Sequence, residues 1–265
     1  MSLDSRSFRS VGIDIGSTTT HLVFSKLTLG FVEERHKFEI VDREITYASG
    51  ISLTPYEGQD TIDIEGLSQF LFSAYEEAGC SPDDVDTGAI IITGEAARRQ
   101  NAERIVNLFA GQMGKFICAT AGPNYEAVLA AHGSGAVELS DRGMMTVMNV
   151  DVGGGTTKIA IARKGEIVET AVLHVGARPI VMDDSGRVVR MEETAEIVAN
   201  ESGVHIGLGE PLSEDEQRRI AATLAESLHE VLSRGRLSEL TERLMITPPL
   251  GYDGKIDLVT FSGGV

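Results

Sequence analysis

Two short stretches of the chain place an acid, a glycine turn and a run of hydroxyls in the same order. The first is Asp14-Ile15-Gly16-Ser17-Thr18-Thr19-Thr20 and the second is Asp151-Val152-Gly153-Gly154-Gly155-Thr156-Thr157. They overlay at a fixed offset of 137 residues, matching Asp14 with Asp151, Gly16 with Gly153, Thr19 with Thr156 and Thr20 with Thr157. Flanking apolar positions match as well: Ile13 with Val150, Ile15 with Val152, Leu22 with Ile159, Phe24 with Ile161. Each residue type has a use in gripping a polyphosphate. Glycines let successive backbone N–H groups converge on an anion, and serine and threonine hydroxyls add neutral donors. An aspartate would be repelled by phosphate, but it can hold Mg²⁺ through water, and the cation then bridges carboxylate and phosphate. Two such turns across a cleft would clamp a nucleotide tail, as two copies of one supersecondary unit. This differs from a P-loop, whose lysine the motif lacks, and no Gly-x-Gly-x-x-Gly opens a helix.

Strands must present these turns. Val11 to Ile15 and Leu22 to Phe24 flank the first, while Val147 to Val152 and Lys158 to Arg163 flank the second. Residues 36–47 alternate loosely and could add a strand, and Pro55, Gly58 and Asp60 mark a loop. Ile64, Leu67, Leu71, Ala74 and Ala78 follow helical spacing up to Gly79. Further along come a strand at 89–92, a helix over 102–113, a strand at 115–121 and a helix over 126–136. After the second turn, 167–175 reads as a strand and 183–191 as a polar surface excursion. Ser213 and Glu216 form a capping box before the stripe Ile220, Leu224, Leu228 and Leu232. A strand at 256–261 runs into Ser262-Gly263-Gly264-Val265, an ending that reads as a cut through a longer fold. Alternating strands and helices argue for an α/β class.

Composition narrows the function. The 265 residues, 42% apolar and 24% charged, suit a folded chain of one large or two ordinary domains. No apolar run has the length of a membrane span, so no membrane role is expected. A net charge of −17, from 23 basic and 40 acidic residues, opposes binding to a nucleic-acid backbone. Cys80 and Cys118 are too few for a disulfide framework or a four-ligand zinc site, which points to a reducing cytoplasm. His21, His36, His132, His174, His205 and His229 show no metal-ligand pairing, and Arg98 and Arg99 read as a solvated helix face.

Ile13-Asp14-Ile15-Gly16 and Val150-Asp151-Val152-Gly153-Gly154-Gly155-Thr156 resemble the two phosphate motifs of the actin/Hsp70/sugar-kinase ATPase superfamily. Phe261-Ser262-Gly263-Gly264 resembles its adenosine motif. Within that superfamily the chain resembles the EutA family of ethanolamine utilization, the reactivating factors of ethanolamine ammonia-lyase. The closer resemblance rests on Ile92-Thr93-Gly94-Glu95-Ala96-Ala97-Arg98-Arg99, Ala119-Thr120-Ala121-Gly122-Pro123 and Val175-Gly176-Ala177-Arg178. It covers almost all of residues 10–265 and only the N-terminal part of the family's length.

The resemblance implies an actin-like α/β fold, two ribonuclease-H-like lobes around a cleft holding ATP and Mg²⁺. It sets residues 1–9 as a disordered tail or tag remnant, 10–144 as the first lobe and 145–265 as a truncated second lobe. Asp14 and Asp151 become magnesium carboxylates. Gly16, Ser17, Thr18 and Thr19 cradle phosphate with Gly153, Gly154, Gly155, Thr156 and Thr157, and Gly263 and Gly264 pack on adenosine. Glu126 stands roughly where superfamily members carry an acidic residue that orients water, with Glu95 as its rival. The implied role is ATP-dependent and chaperone-like: release of damaged cobalamin from its partner, ethanolamine ammonia-lyase, in the cytoplasm or a bacterial microcompartment. A homodimer is compatible with it. No Asp-x-His-x-x-Gly motif is present to hold cobalamin directly. The alternatives are a small-molecule kinase or phosphatase of the same superfamily, or an actin-like filament.

Overall fold

A computed structural model of the chain describes residues 5–16, 18–33, 36–57, 61–93, 105, 117 and 122–263, and the backbone alone of 116 and 118–120. Contacts divide the chain into two units, Met1–Ala121 and Gly122–Val265.

In the first unit, β1 (Arg6–Ile15) turns through Gly16 into β2 (Thr19–Val32), which turns again into β3 (Lys37–Ala48). β1 begins earlier than expected, because Arg6 to Arg9 pair across the hairpin with Leu29 to Lys26. Residues 5–9 are therefore strand and its approach, not tail. Short strands β4 (Ser52–Leu53), β5 (Tyr56–Glu57) and β6 (Thr61–Ile62) lead to α1 (Ile64–Glu77), capped by Asp63. β7 (Thr87–Ile92) and β8 (Phe116–Thr120) then add to the other edge of β1 in parallel. The order β3-β2-β1-β7-β8 results. Alternation decides which side chains are buried: Val11, Ile13 and Ile15 go inward with Leu22 and Phe24, and Leu67, Leu71 and Tyr75 of α1 belong to the same core. Each such fully buried side chain contributes roughly 1.5–3 kcal/mol. Tyr75 lies edge-on to Phe24, and burial pushes its phenol up to about 12. Of the helix expected over 102–113, only Ile105 is among the described residues, and it is buried.

The second unit opens with α2 (Pro123–Gly133) and α3 (Ala136–Arg142). The expected single helix is broken at Gly135, whose φ is 80°. β9 (Thr146–Val152), β10 (Thr157–Arg163) and β11 (Glu166–Leu173) form a meander. A hairpin of β12 (Ile180–Met182) and β13 (Val188–Met191) follows where a surface excursion was expected, and Val188 is buried in its core. Next come α4 (Ala195–Glu201), α5 (Glu214–Ser233), α6 (Glu239–Leu244) and β14 (Leu258–Ser262), which pairs in parallel with β9. The order is β11-β10-β9-β14. One face of this sheet, including Val150, Ile159 and Ile161, shares a core with α4 and α5; the other, including Val147, Ala160 and Ala162, packs on α2 and α3. Because α2 and α3 complete this second core, the division falls before α2 and not at 144/145. The capping box on α5 forms as expected, with Ser213 N–H donating to Glu216 at 2.9 Å. On its inner face Ile220, Leu224, Ser227 and Val231 are buried, with Leu228 and Leu232 packed beside them.

The two sheets share one topology. Each is an antiparallel meander whose first strand takes a later strand in parallel on its free edge, the α/β sheet expected twice over.

Candidate functional site

The 137-residue repeat is a repeat of register. Across the first hairpin Asp14 pairs with His21 and Ile15 with Thr20; across the second Asp151 pairs with Lys158 and Val152 with Thr157. Each turn closes with the same hydrogen bond, Gly16 N–H to the Thr19 carbonyl and Gly153 N–H to the Thr156 carbonyl, both 2.9 Å. Each aspartate also accepts a hydroxyl from the parallel-strand side. Thr93 donates to Asp14 Oδ1 at 3.4 Å, and Ser262 to Asp151 Oδ1 at 2.7 Å.

The first turn is fastened from behind by Thr54. Its hydroxyl donates to the Gly16 carbonyl at 2.7 Å and its N–H to the Thr18 carbonyl at 3.0 Å. Thr20 shares a hydrogen bond with Thr54 at 2.9 Å. Thr18 is buried and Thr19 half-buried, while the Asp14 carboxylate lies on an exposed position. Ser17, expected beside them, lies outside the described residues.

The second turn is fastened by 175–178. Ala177 N–H donates to the Gly153 carbonyl at 3.0 Å and Arg178 N–H to the Gly154 carbonyl at 2.7 Å. The Thr157 hydroxyl, fully buried, donates to the Val175 carbonyl at 2.6 Å, so it braces the turn and is not offered to a ligand. Gly176 passes so close that a Cβ there would lie 2.1 Å from the Gly154 oxygen. With the carbonyls of 153 and 154 tied back, the N–H groups of Gly154 and Gly155 have no acceptor among the described residues. Such a pair of unpaired amides on a glycine turn is an anion nest. Gly263 has φ 127°, and a Cβ there would lie 2.0 Å from the Val152 oxygen, so the end of β14 lies against this turn. Gly264 lies outside the described residues.

Asp151 is held by a relay. Thr260 donates to Asn149 Oδ1 at 2.9 Å, Asn149 Nδ2 to Ser262 Oγ at 3.1 Å, and Ser262 Oγ to Asp151. Opposite it stands Lys158, whose ammonium is 3.4 Å from the buried Glu126 carboxylate and 4.0 Å from Asp151 Oδ2. Glu126 sits in the first turn of α2, where the helix dipole favours a negative charge. The rival Glu95, with Arg98 and Arg99, lies outside the described residues. Lys158 went unnoticed in the sequence, although the hairpin register sets it directly opposite Asp151 and facing the same side of the sheet. Its presence bears on magnesium. Asp14, at an exposed position, is the other carboxylate expected to hold the ion. Asp151 does not suit a directly held one, with one oxygen engaged by Ser262 and the other facing an ammonium. Among the described residues no group of three or more His, Cys, Asp or Glu could hold a metal ion. None of the helices among those residues is long and apolar enough to cross a membrane.

A cavity of about 390 Å³ adjoins the second turn, lined in part by Val152, Val175, Ala177, Ile180 and Leu224. Its walls are mostly apolar.

Comparison with known proteins supplies the relatives. The family described as "Ethanolamine utilisation protein EutA" matches residues 6–265. The chain is 37% identical to the ethanolamine ammonia-lyase reactivase EutA of Salmonella typhimurium, over 99% of this chain and 57% of that protein. It is likewise 37% identical to the protein of the same name from Escherichia coli, over the same shares. It thus spans 57% of the length of the curated relatives it matches. Among solved structures it is similar to ethanolamine utilization protein EutJ from Carboxydothermus hydrogenoformans. That likeness has a TM-score of 0.43 at 17% identity, covering 98% of this chain and 77% of the other.

Proposed function

The chain belongs to the EutA family of ethanolamine utilisation proteins, and from that premise we propose that it is the nucleotide-gripping part of a reactivating factor for ethanolamine ammonia-lyase. The observation that carries the reading is the matched register of the two turns, each with an aspartate two residues before its first glycine. In this account the second turn holds a polyphosphate: the amides of Gly154 and Gly155 take its phosphate oxygens, and Gly16 to Thr19 form a second phosphate cradle of the same design. Asp14 carries a hydrated Mg²⁺, which when bound neutralises phosphate charge. Gly263 and the apolar cavity beside Val152 receive the nucleoside. ATP turnover would then drive release of damaged cobalamin from the lyase, in the compartment where the lyase works.

The family match favours this role over a small-molecule kinase or phosphatase, which would need an acceptor pocket with its own base. The test is revival. Ethanolamine ammonia-lyase blocked with cyanocobalamin is mixed with the full chain, ATP, Mg²⁺ and fresh adenosylcobalamin. Recovery of deaminating activity that needs ATP is the expected result. A lyase that stays blocked under all these conditions would remove the reactivating role.

A further inference from the structure

Three charged side chains meet beside the second turn, and the middle one is a base. The Lys158 side chain is only 13% exposed and its ammonium lies between Glu126 and Asp151. The same ammonium stands over the turn itself, 3.2 Å from where a Cβ of residue 153 would be. An ammonium has three N–H donors. Glu126 lies in one direction at 3.4 Å and Asp151 in another at 4.0 Å, beyond hydrogen-bond length, which leaves donors for an anion seated on the Gly154 and Gly155 amides. Two carboxylates and one ammonium leave the group with a net negative charge, which would repel a polyphosphate unless the cation faces it. At the equivalent register the first turn has His21 in place of lysine.

We propose that Lys158 is the resident cation of the second turn: it grips the polyphosphate directly, and no divalent ion is held at Asp151. Glu126 and Asp151 then act as positioning residues that fix the ammonium over the turn, and Mg²⁺ is left to Asp14. The inference rests on the nucleotide reading above for its ligand, but not for its statement about metal.

Two measurements separate the two ideas. The first uses Mn²⁺ alone, followed by electron paramagnetic resonance with the intact chain. Bound Mn²⁺ should fall in Asp14→Asn and stay unchanged in Asp151→Asn, and Lys158→Gln should create a new site that Asp151→Asn abolishes. The second uses calorimetry with ATP in EDTA. The wild type should bind, Lys158→Gln should bind roughly ten- to hundredfold more weakly, as for a lost charge-assisted contact, and Lys158→Arg should stay within a few-fold. Because Lys158→Gln leaves the buried Glu126 charge without its ammonium, Lys158→Gln/Glu126→Gln carries the same comparison if the single variant does not fold. Loss of Mn²⁺ in Asp151→Asn, or equal ATP affinity in EDTA with and without the lysine, overturns the proposal. If ATP binds to no form under any condition, the nucleotide reading fails and takes the phosphate contact with it, while the Mn²⁺ result still decides the cation.

Discussion

Gly176 is the most exacting position in the second turn, and Gly176→Ala tests the geometry there. The added Cβ would lie 2.1 Å from the Gly154 oxygen and 2.6 Å from the Gly155 carbonyl carbon. Non-bonded heavy atoms rest at about 3.5–4 Å, so one backbone segment must retreat by roughly 1 Å or more. The hydrogen bonds from Ala177 and Arg178 to the turn, now 3.0 and 2.7 Å, would stretch past useful length. If 175–178 is the segment that moves, the 2.6 Å bond from Thr157 to the Val175 carbonyl goes as well. At about 1 kcal/mol net for each bond, the loss is roughly 2–3 kcal/mol. With a urea slope of about 2 kcal/mol per molar, the unfolding midpoint should drop by roughly 1 M or more. Gly12→Ala is the control, because a Cβ at residue 12 meets nothing within 4 Å. Urea titration followed by circular dichroism reads both. If Gly176→Ala unfolds at the same midpoint as Gly12→Ala, the close approach of 176 to the turn is wrong.

Other positions give independent checks. Thr157→Val removes the buried hydroxyl that satisfies the Val175 carbonyl, and should cost about 1–3 kcal/mol by denaturant unfolding. Ser213→Ala removes the α5 cap and should cost about 1 kcal/mol in the same assay. Acid should destabilise the fold in a defined direction. Hydrogen bonds from the Ser81 backbone and hydroxyl hold Asp84 below the usual carboxylate range, the Ser185 hydroxyl does so for Asp183, and the Ser213 hydroxyl and backbone for Glu216. The folded chain therefore binds fewer protons there than the unfolded one. Their stabilisation is present above the ordinary carboxylate values and is lost as pH falls through the lowered ones. Urea midpoints measured down a pH series should drop in the acid range, and Ser213→Ala should make that drop shallower; a steeper drop would reverse the assigned direction. Spectrophotometric titration should leave Tyr75 protonated beyond the ordinary tyrosine range, up to about 12.

Much of the architecture could be read from residue order because it depends on local periods. The matched turns follow from a fixed offset and two-residue alternation, and the α5 start follows from Ser213 and Glu216 alone. Elements under two turns of helix, or of four residues of strand or fewer, carry too little periodicity to register. Hence α4, α6 and the β12–β13 hairpin emerge only from the structure. The division before α2 depends on which sheet those helices cover, a tertiary fact. The aspartate and glycines of the second turn stand out by type, whereas Lys158 reads as an ordinary strand lysine. Only its cross-strand partner Asp151 and Glu126 in the first turn of α2 give it a role, and Glu126 belongs to a separate element earlier in the sequence. Thr157 shows the converse: a hydroxyl chosen for phosphate is engaged with the backbone of Val175.

The central claim is that the second turn grips a polyphosphate, and amide hydrogen exchange with a non-hydrolysable ATP analogue tests it most directly. The account predicts slowed exchange in the peptide covering 151–158, in step with nucleotide saturation. Unchanged exchange in that peptide at saturating nucleotide would contradict it.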